Sequence, residues 1–179
     1  VPTGEENLVR RALVAVGRTA QVRLTKRIPA GAGLGGGSAD AAAVLRWAGH
    51  DDVAVAASLG ADVPFCLVGG RARVTGVGEV VEPLPFEDRM FTLAIPPIRV
   101  PTPDVYQAWD DLGGPAGPNG NDLEPAALLI APDLSHWRNG LAEATGQTPR
   151  LAGSGGTWFV EGEFPGEDRI VVRTVPAAD

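Results

Sequence analysis

Cysteine, methionine and tyrosine occur once each in these 179 residues, and histidine only twice. A single thiol, Cys66, cannot close an internal disulfide, so the chain suits a reducing compartment. His50 and His136 lie far apart, neither with a carboxylate or cysteine at metal-ligand spacing, and no metal site is expected. No apolar run approaches the roughly 18 residues of a membrane span, and no stretch resembles a signal peptide. Positive charge is also scarce. Lys and Arg total 15 against 22 Asp and Glu, for a net charge of −7 and a pI near 4.8. Such a chain repels phosphate backbones and anionic lipid at long range, which disfavours nucleic-acid or membrane partners but leaves room for a local phosphate site. A soluble, cytoplasmic protein is expected.

What the chain has in surplus is glycine and proline, 24 and 16 residues, nearly twice the average share of roughly 12%. They follow no fixed period, which excludes collagen-like and repeat architectures. With 44% apolar residues, the chain can still build an ordinary core. Residues 5–18 predict a helix with Leu8, Ala12, Ala15 and Val16 on one face and Gly17 at its stop. Gln21 to Thr25 alternates as a short strand, and the stretch from Ser38 to Trp47 is rich in helix formers. A further short helix is expected at Val53–Leu59, and strands at Val63–Val68 and Ala72–Thr75 around a Gly69-Gly70 turn. Beyond these come a strand over Arg89–Ile95, helices over Pro103–Leu112, Asp122–Ile130 and Pro132–Thr145, a strand-turn-strand over Arg150–Val160, and a strand over Arg169–Val175. Helices and strands mix throughout, so the class is α+β or α/β, with a domain boundary near residues 83–89. Cys66 and the four tryptophans, Trp47, Trp109, Trp137 and Trp158, are expected in the core.

The most informative stretch is Pro29-Ala30-Gly31-Ala32-Gly33-Leu34-Gly35-Gly36-Gly37-Ser38-Ala39-Asp40. A glycine-rich loop running into a helix start offers free N–H groups and the positive end of the helix dipole, a cradle for phosphate. Lys26 and Arg27 add positive charge just before it. A mobile linker is the plainer alternative. Gly31-x-Gly33-x-x-Gly36 satisfies the spacing of a dinucleotide fingerprint, but Pro29 interrupts the junction and no acidic residue closes a second strand about twenty positions on. A Walker A loop is excluded, because no lysine stands at its end.

Lys26 to Ala43 resembles the second motif of the galactokinase, homoserine kinase, mevalonate kinase and phosphomevalonate kinase superfamily. The triple glycine followed by Ser38-Ala39-Asp40-Ala41-Ala42 is similar to the branch acting on a cytidine-diphosphate-bearing methylerythritol. Glu6-Asn7-Leu8-Val9, Leu59 to Phe65, Gly76-Val77-Gly78-Glu79, Val100-Pro101-Thr102-Pro103 and Ala152 to Gly156 agree in the same order. The resemblance implies an α+β, two-domain small-molecule kinase fold, with residues 1–88 the remainder of an ATP-binding domain. It makes residues 89–179 a ferredoxin-like α/β sandwich domain. It implies ATP, with Mg²⁺ carried by the nucleotide, and a small-molecule substrate bearing a cytidine diphosphate group. Phosphorylation of that substrate's tertiary 2-hydroxyl is the activity it implies, in isoprenoid precursor synthesis.

The resemblance makes Asp62 the catalytic base; on physics alone a turn or cap aspartate is the commoner reading, and burial beside Val63-Pro64-Phe65 would raise its proton affinity unless a cation compensates. It assigns Asn7 and the run Pro29, Ala30, Gly31, Ala32, Gly33, Leu34, Gly35, Gly36, Gly37, Ser38 and Ala39 to ATP, although Asn7 can equally be a helix cap. It puts Pro103 and Tyr106 against the cytosine, whereas a lone tyrosine is otherwise a core ring. Gly153, Ser154 and Gly155 match the third glycine motif, near the phosphates, or else form a plain hairpin turn. A lysine near the family's first strand and its Asp-Gly-Tyr-His stretch have no counterpart here, so a truncated N-terminal domain and a fragment beginning at Val1 are expected. The stretch between Ala43 and Leu59 is also shorter than in the family. The alternatives are a degenerate homologue that binds nucleotide without catalysis, or another kinase of the superfamily; an oxidoreductase trails behind.

Overall fold

The computed structural model describes residues 4–177, so Val1 lies outside the described residues. The chain forms two compact units. One holds the residues up to Arg27, residues 35–87 and those from Thr174 on; the other holds residues 28–34 and 88–173.

The first unit is built on helices. Helix α1 (Leu8–Ala15) starts where the Asn7 Oδ1 accepts from the Val9 N–H at 2.9 Å. Its buried stripe is Val9 and Ala12, backed by Leu8, Leu13 and Val16; Ala15, expected on that face, is exposed. Helix α2 (Gly36–Trp47) packs Ala41, Ala42, Val44 and Leu45 against α1 and against α4. Helix α3 (Val53–Leu59) is capped by the Asp52 carboxylate, which accepts from the Ala54 and Val55 N–H groups. Full burial of a side chain the size of Leu45 is worth about 1.5–3 kcal/mol, so this small alanine-rich core rests on close helix approach.

Three expectations fail here. Val63–Val68 is helix α4, not a strand, because Pro64 suits a first helical turn and Val63 packs into the helical core. Gln21–Thr25 forms no strand; it is exposed and pairs with no described strand, and alternation without a ladder makes no sheet. Trp47 is 62% exposed at the end of α2 instead of buried. It lines, with Val9, Leu13, Val22, Leu24 and Val44, an open groove of about 380 Å³. Strands β1 (Arg71–Thr75) and β2 (Val80–Leu84) complete the unit as an antiparallel hairpin, Arg71 opposite Leu84 and Thr75 opposite Val80.

The second unit has a four-stranded sheet with spatial order β4-β5-β3-β6, antiparallel throughout. Its strands are β3 (Met90–Ala94), β4 (Arg150–Leu151), β5 (Trp158–Glu161) and β6 (Ile170–Arg173). Helices α5 (Thr102–Asp111), α6 (Glu124–Ile130) and α7 (Leu134–Thr145) all fall between β3 and β4. That strand order is the ferredoxin-like one, except that β5 and β6 are joined by residues 162–169, with a Gly166–Arg169 bridge in place of a second crossover helix. The core gathers Ala94, Val105, Leu134, Leu141, Trp158 and Val160. Thr92, fully buried in β3, donates to the Gly162 carbonyl and accepts from the Phe164 N–H, both at 2.9 Å, which fixes the start of the joining segment. Glu124 is buried too; Arg138 reaches it at 3.5 Å and stacks over the Trp158 ring. Among the described residues no helix is long and apolar enough to cross a membrane.

Candidate active site

The glycine-rich stretch is divided between the units: residues 28–34 count with the second, and Gly35 onward with the first. In the first unit Gly35 takes the left-handed φ of 62° that glycine tolerates and stands at the N-cap of α2. It has no side chain with which to cap the helix, so the first-turn N–H groups of Gly36, Gly37 and Ser38 have no side-chain cap. This donor set fits an anion such as a nucleotide phosphate, helped by the dipole of a 12-residue helix. Leu8 of α1 would lie 3.5 Å from a Cβ on Gly37, which brings the Asn7 cap close to the loop. Lys26 differs from expectation: its ammonium pairs with Asp40 at 2.5 Å, so its charge is largely neutralised. Arg27 is left exposed before the loop.

Asp62 sits at the N-terminal end of α4 and makes no cap hydrogen bond. It is exposed, not buried among its apolar neighbours as expected. Two features hold the turn that carries it. Gly78, at the tip of the β1–β2 hairpin, is buried against Ala61; a Cβ there would fall 2.0 Å from the Ala61 carbonyl oxygen. Behind it, the Arg46 guanidinium donates to the Cys66 and Leu67 carbonyls at 2.6 and 3.3 Å, tying α2 to the end of α4. Cys66 is half-buried, not fully buried as expected. Burial pushes its thiol above the ordinary range, the Asp62 carboxylate adds to the rise, and Arg46 opposes it.

In the second unit, residues 28–34 lie directly on the third glycine motif. Gly33 has φ +72°, and a Cβ on it would meet the Ala152 and Gly155 carbonyl oxygens at 2.1 and 2.4 Å. The Thr157 N–H donates to the Ala32 carbonyl at 3.2 Å. The two loops therefore touch backbone to backbone, which explains why both are so poor in side chains. Ser154 is joined through its hydroxyl to Thr102 at 2.8 Å, at the start of α5, and one turn on stands Tyr106. Tyr106 is 51% exposed, so the core-ring alternative is ruled out; Pro103 is exposed beside it.

The sequence reading missed Thr102 and Asn121. The Asn121 carboxamide donates to the Leu151 and Gly153 carbonyls at 2.9 and 2.8 Å, and its Oδ1 accepts from the Leu123 N–H at 3.0 Å. Its signal was slight: an Asn-Asp pair after a glycine turn, which reads as an ordinary turn. Among the described residues no cluster of His, Cys, Asp or Glu could hold a metal ion.

Comparison with known proteins fits this arrangement. A family model described as GHMP kinases N terminal domain matches residues 7–70, from the α1 cap through the glycine loop to the end of α4. The chain is 39% identical to a 4-diphosphocytidyl-2-C-methyl-D-erythritol kinase of Thermus thermophilus, over 98% of its own length and 74% of the relative's. A relative of the same name from Cereibacter sphaeroides is 38% identical, with 89% and 67% of the two chains covered. A crystal structure of 4-(cytidine 5'-diphospho)-2C-methyl-D-erythritol kinase superposes with a TM-score of 0.73 at 36% identity, over all of this chain and 81% of that one. The chain is thus an α+β protein of the small-molecule kinase class. It belongs to the 4-diphosphocytidyl-2-C-methyl-D-erythritol kinase family.

Proposed function

We propose that this chain moves the γ-phosphoryl group of ATP to the 2-hydroxyl of 4-diphosphocytidyl-2-C-methyl-D-erythritol, a step towards isoprenoid precursors. The observation that carries the reading is the pair of glycine loops packed backbone to backbone, in a chain 36–39% identical to kinases of that name. In this reading residues 1–88 form the ATP-binding domain and residues 89–179 the C-terminal kinase domain. The run from Pro29 to Ala39 holds the nucleotide phosphates through backbone N–H groups, with Asn7 nearby at the adenine, and Gly153, Ser154 and Gly155 close on the phosphates. Mg²⁺ carried by the nucleotide would supply charge neutralisation at the phosphates that the run from Pro29 to Ala39 would hold.

Asp62, exposed and without a cap bond, is free to accept the proton of the attacking hydroxyl. The hydroxyl oxygen bonds to the γ-phosphorus as the β–γ bridging oxygen departs with ADP. Tyr106 and Pro103 take the cytosine; an exposed ring at a helix start can stack on a base, worth about 1–3 kcal/mol. The single cysteine supports a cytoplasmic location. ADP release from MgATP tests this reading, with and without 4-diphosphocytidyl-2-C-methyl-D-erythritol. Release should depend on that substrate and vanish in Asp62→Asn with MgATP binding retained. Turnover kept in Asp62→Asn would remove Asp62 from the chemistry, and substrate-independent or absent release would overturn the kinase assignment.

A further inference from the structure

Asn121 lies outside every motif of the resemblance, yet its side chain ties the third glycine motif to β4 and to the start of α6. Its two amide hydrogens are both used, on Leu151 at the end of β4 and on Gly153 inside the loop, 30 and 32 residues away in sequence. Its oxygen is used as well, on the Leu123 N–H just before α6. The carboxamide is thus bonded at every site that counts for orientation, with the side chain half-buried. On the opposite side of the same loop lies the first glycine loop, which meets Ala152, Gly153 and Gly155 through Gly33. The motif is therefore held between Asn121 and Gly33. The far end of the segment has its own anchors, the Thr157–Ala32 and Ala152–Thr157 backbone bonds and the packing of buried Gly155 on Val100. Exposed Gly153, with φ +53°, and Ser154 are instead tied by Asn121 and by the Ser154–Thr102 hydroxyl bond.

We infer that Asn121 is a positioning residue for the kinase reaction: it fixes the third glycine motif against residues 28–34 of the first glycine loop, which the proposed reading assigns to the phosphates. This rests on the proposed kinase reading and deepens it. Catalysis of phosphoryl transfer is positioning and charge placement, so a loop displaced by about 1 Å costs on the order of 100-fold in rate.

Two substitutions separate this role from simple turn formation. Asn121→Asp keeps the shape and the Oδ acceptor for Leu123 but turns both donors into an oxygen facing the Leu151 and Gly153 carbonyls. A residue needed only to start α6 would tolerate it, because aspartate caps turns as well as asparagine does. Asn121→Ala removes both functions. The measurements are substrate-dependent ADP release, the MgATP KM, the thermal midpoint and amide exchange over residues 152–157.

Asn121→Asp is expected to keep a cooperative thermal transition, to speed exchange over 152–157 at least tenfold, and to lower kcat tenfold or more with the MgATP KM within threefold. Asn121→Ala should match its kinetic loss. An Asn121→Asp protein with unchanged kcat overturns the positioning role, whatever its exchange rates. Equal loss of exchange protection across α6, α7 and 152–157 also overturns it, since that would mean general destabilisation. An unsubstituted chain that releases no ADP overturns the kinase reading itself, and this inference with it.

Discussion

Gly33→Ala probes the contact between the two glycine loops directly. Any L-residue at φ +72° bears a left-handed strain of about 1–2 kcal/mol. Gly113, also in the second unit with φ +83°, bears the same strain, but a Cβ there meets nothing within 4 Å. Gly113→Ala thus measures strain alone. At Gly33 the new methyl would lie 2.1 Å from one carbonyl oxygen and 2.4 Å from another, where real Cβ atoms stay beyond 3.0 Å. The loops must part by roughly 1 Å, which strains or breaks the Thr157–Ala32 backbone bond, a further ~1 kcal/mol. Urea unfolding should therefore give about 2–3 kcal/mol lost for Gly33→Ala, about 1 kcal/mol more than for Gly113→Ala. In the ADP-release assay, kcat should fall about 100-fold in Gly33→Ala and stay unchanged in Gly113→Ala. If the two alanine variants prove equal in stability and in kcat, the loops do not bear on one another and the packing argument fails.

Two other outcomes follow from the buried charge and the thiol. Arg138→Met removes the cation beside the buried Glu124 carboxylate, which keeps the Asn119 amide at 3.4 Å, and should cost about 2–4 kcal/mol, less than a fully enclosed pair because Arg138 is partly exposed; adding Glu124→Gln should recover most of the loss in urea denaturation, and no recovery would show that Glu124 does not depend on Arg138. The Asp62 carboxylate is one cause of the raised Cys66 pKa, so Asp62→Asn should lower that pKa, increase the thiolate fraction at pH 8 and speed alkylation by iodoacetamide. Unchanged or slower alkylation would mean that the two groups do not sense each other.

How far the chain could be read in advance depended on whether a feature is local. The glycine loop was legible because its chemistry is local: positive φ and uncapped N–H groups require those residues in that order. The helices α2, α3, α5 and α7 were legible for the same reason, through formers and stops within the segment. Val63-Pro64-Phe65-Cys66-Leu67-Val68 was not, because a six-residue apolar run has no period of its own; it becomes a helix through Pro64 in its first turn and contact with α2. Strand β2 was missed because Pro83 interrupts it, which a two-stranded hairpin tolerates at an unpaired edge. Gln21–Thr25 erred in the opposite direction: alternation describes a face, but a strand also needs a partner.

The same division between local and distant causes runs through the candidate site. Gly33 and Gly155 are conspicuous in sequence, but the reason for each is distant: Gly33 lies against the Ala152 and Gly155 carbonyls, more than a hundred residues on, and Gly155 against Val100 and the Gly31 carbonyl. Asn121 shows the limit of reading from composition. A single asparagine after a glycine turn has no distinctive local pattern, and its three hydrogen bonds exist only once β4, the loop and the start of α6 have come together. A loop poor in side chains holds its place through backbone contacts and through polar side chains that reach it from elsewhere in the fold. Residues that position such a motif are therefore to be sought among polar side chains outside it as well.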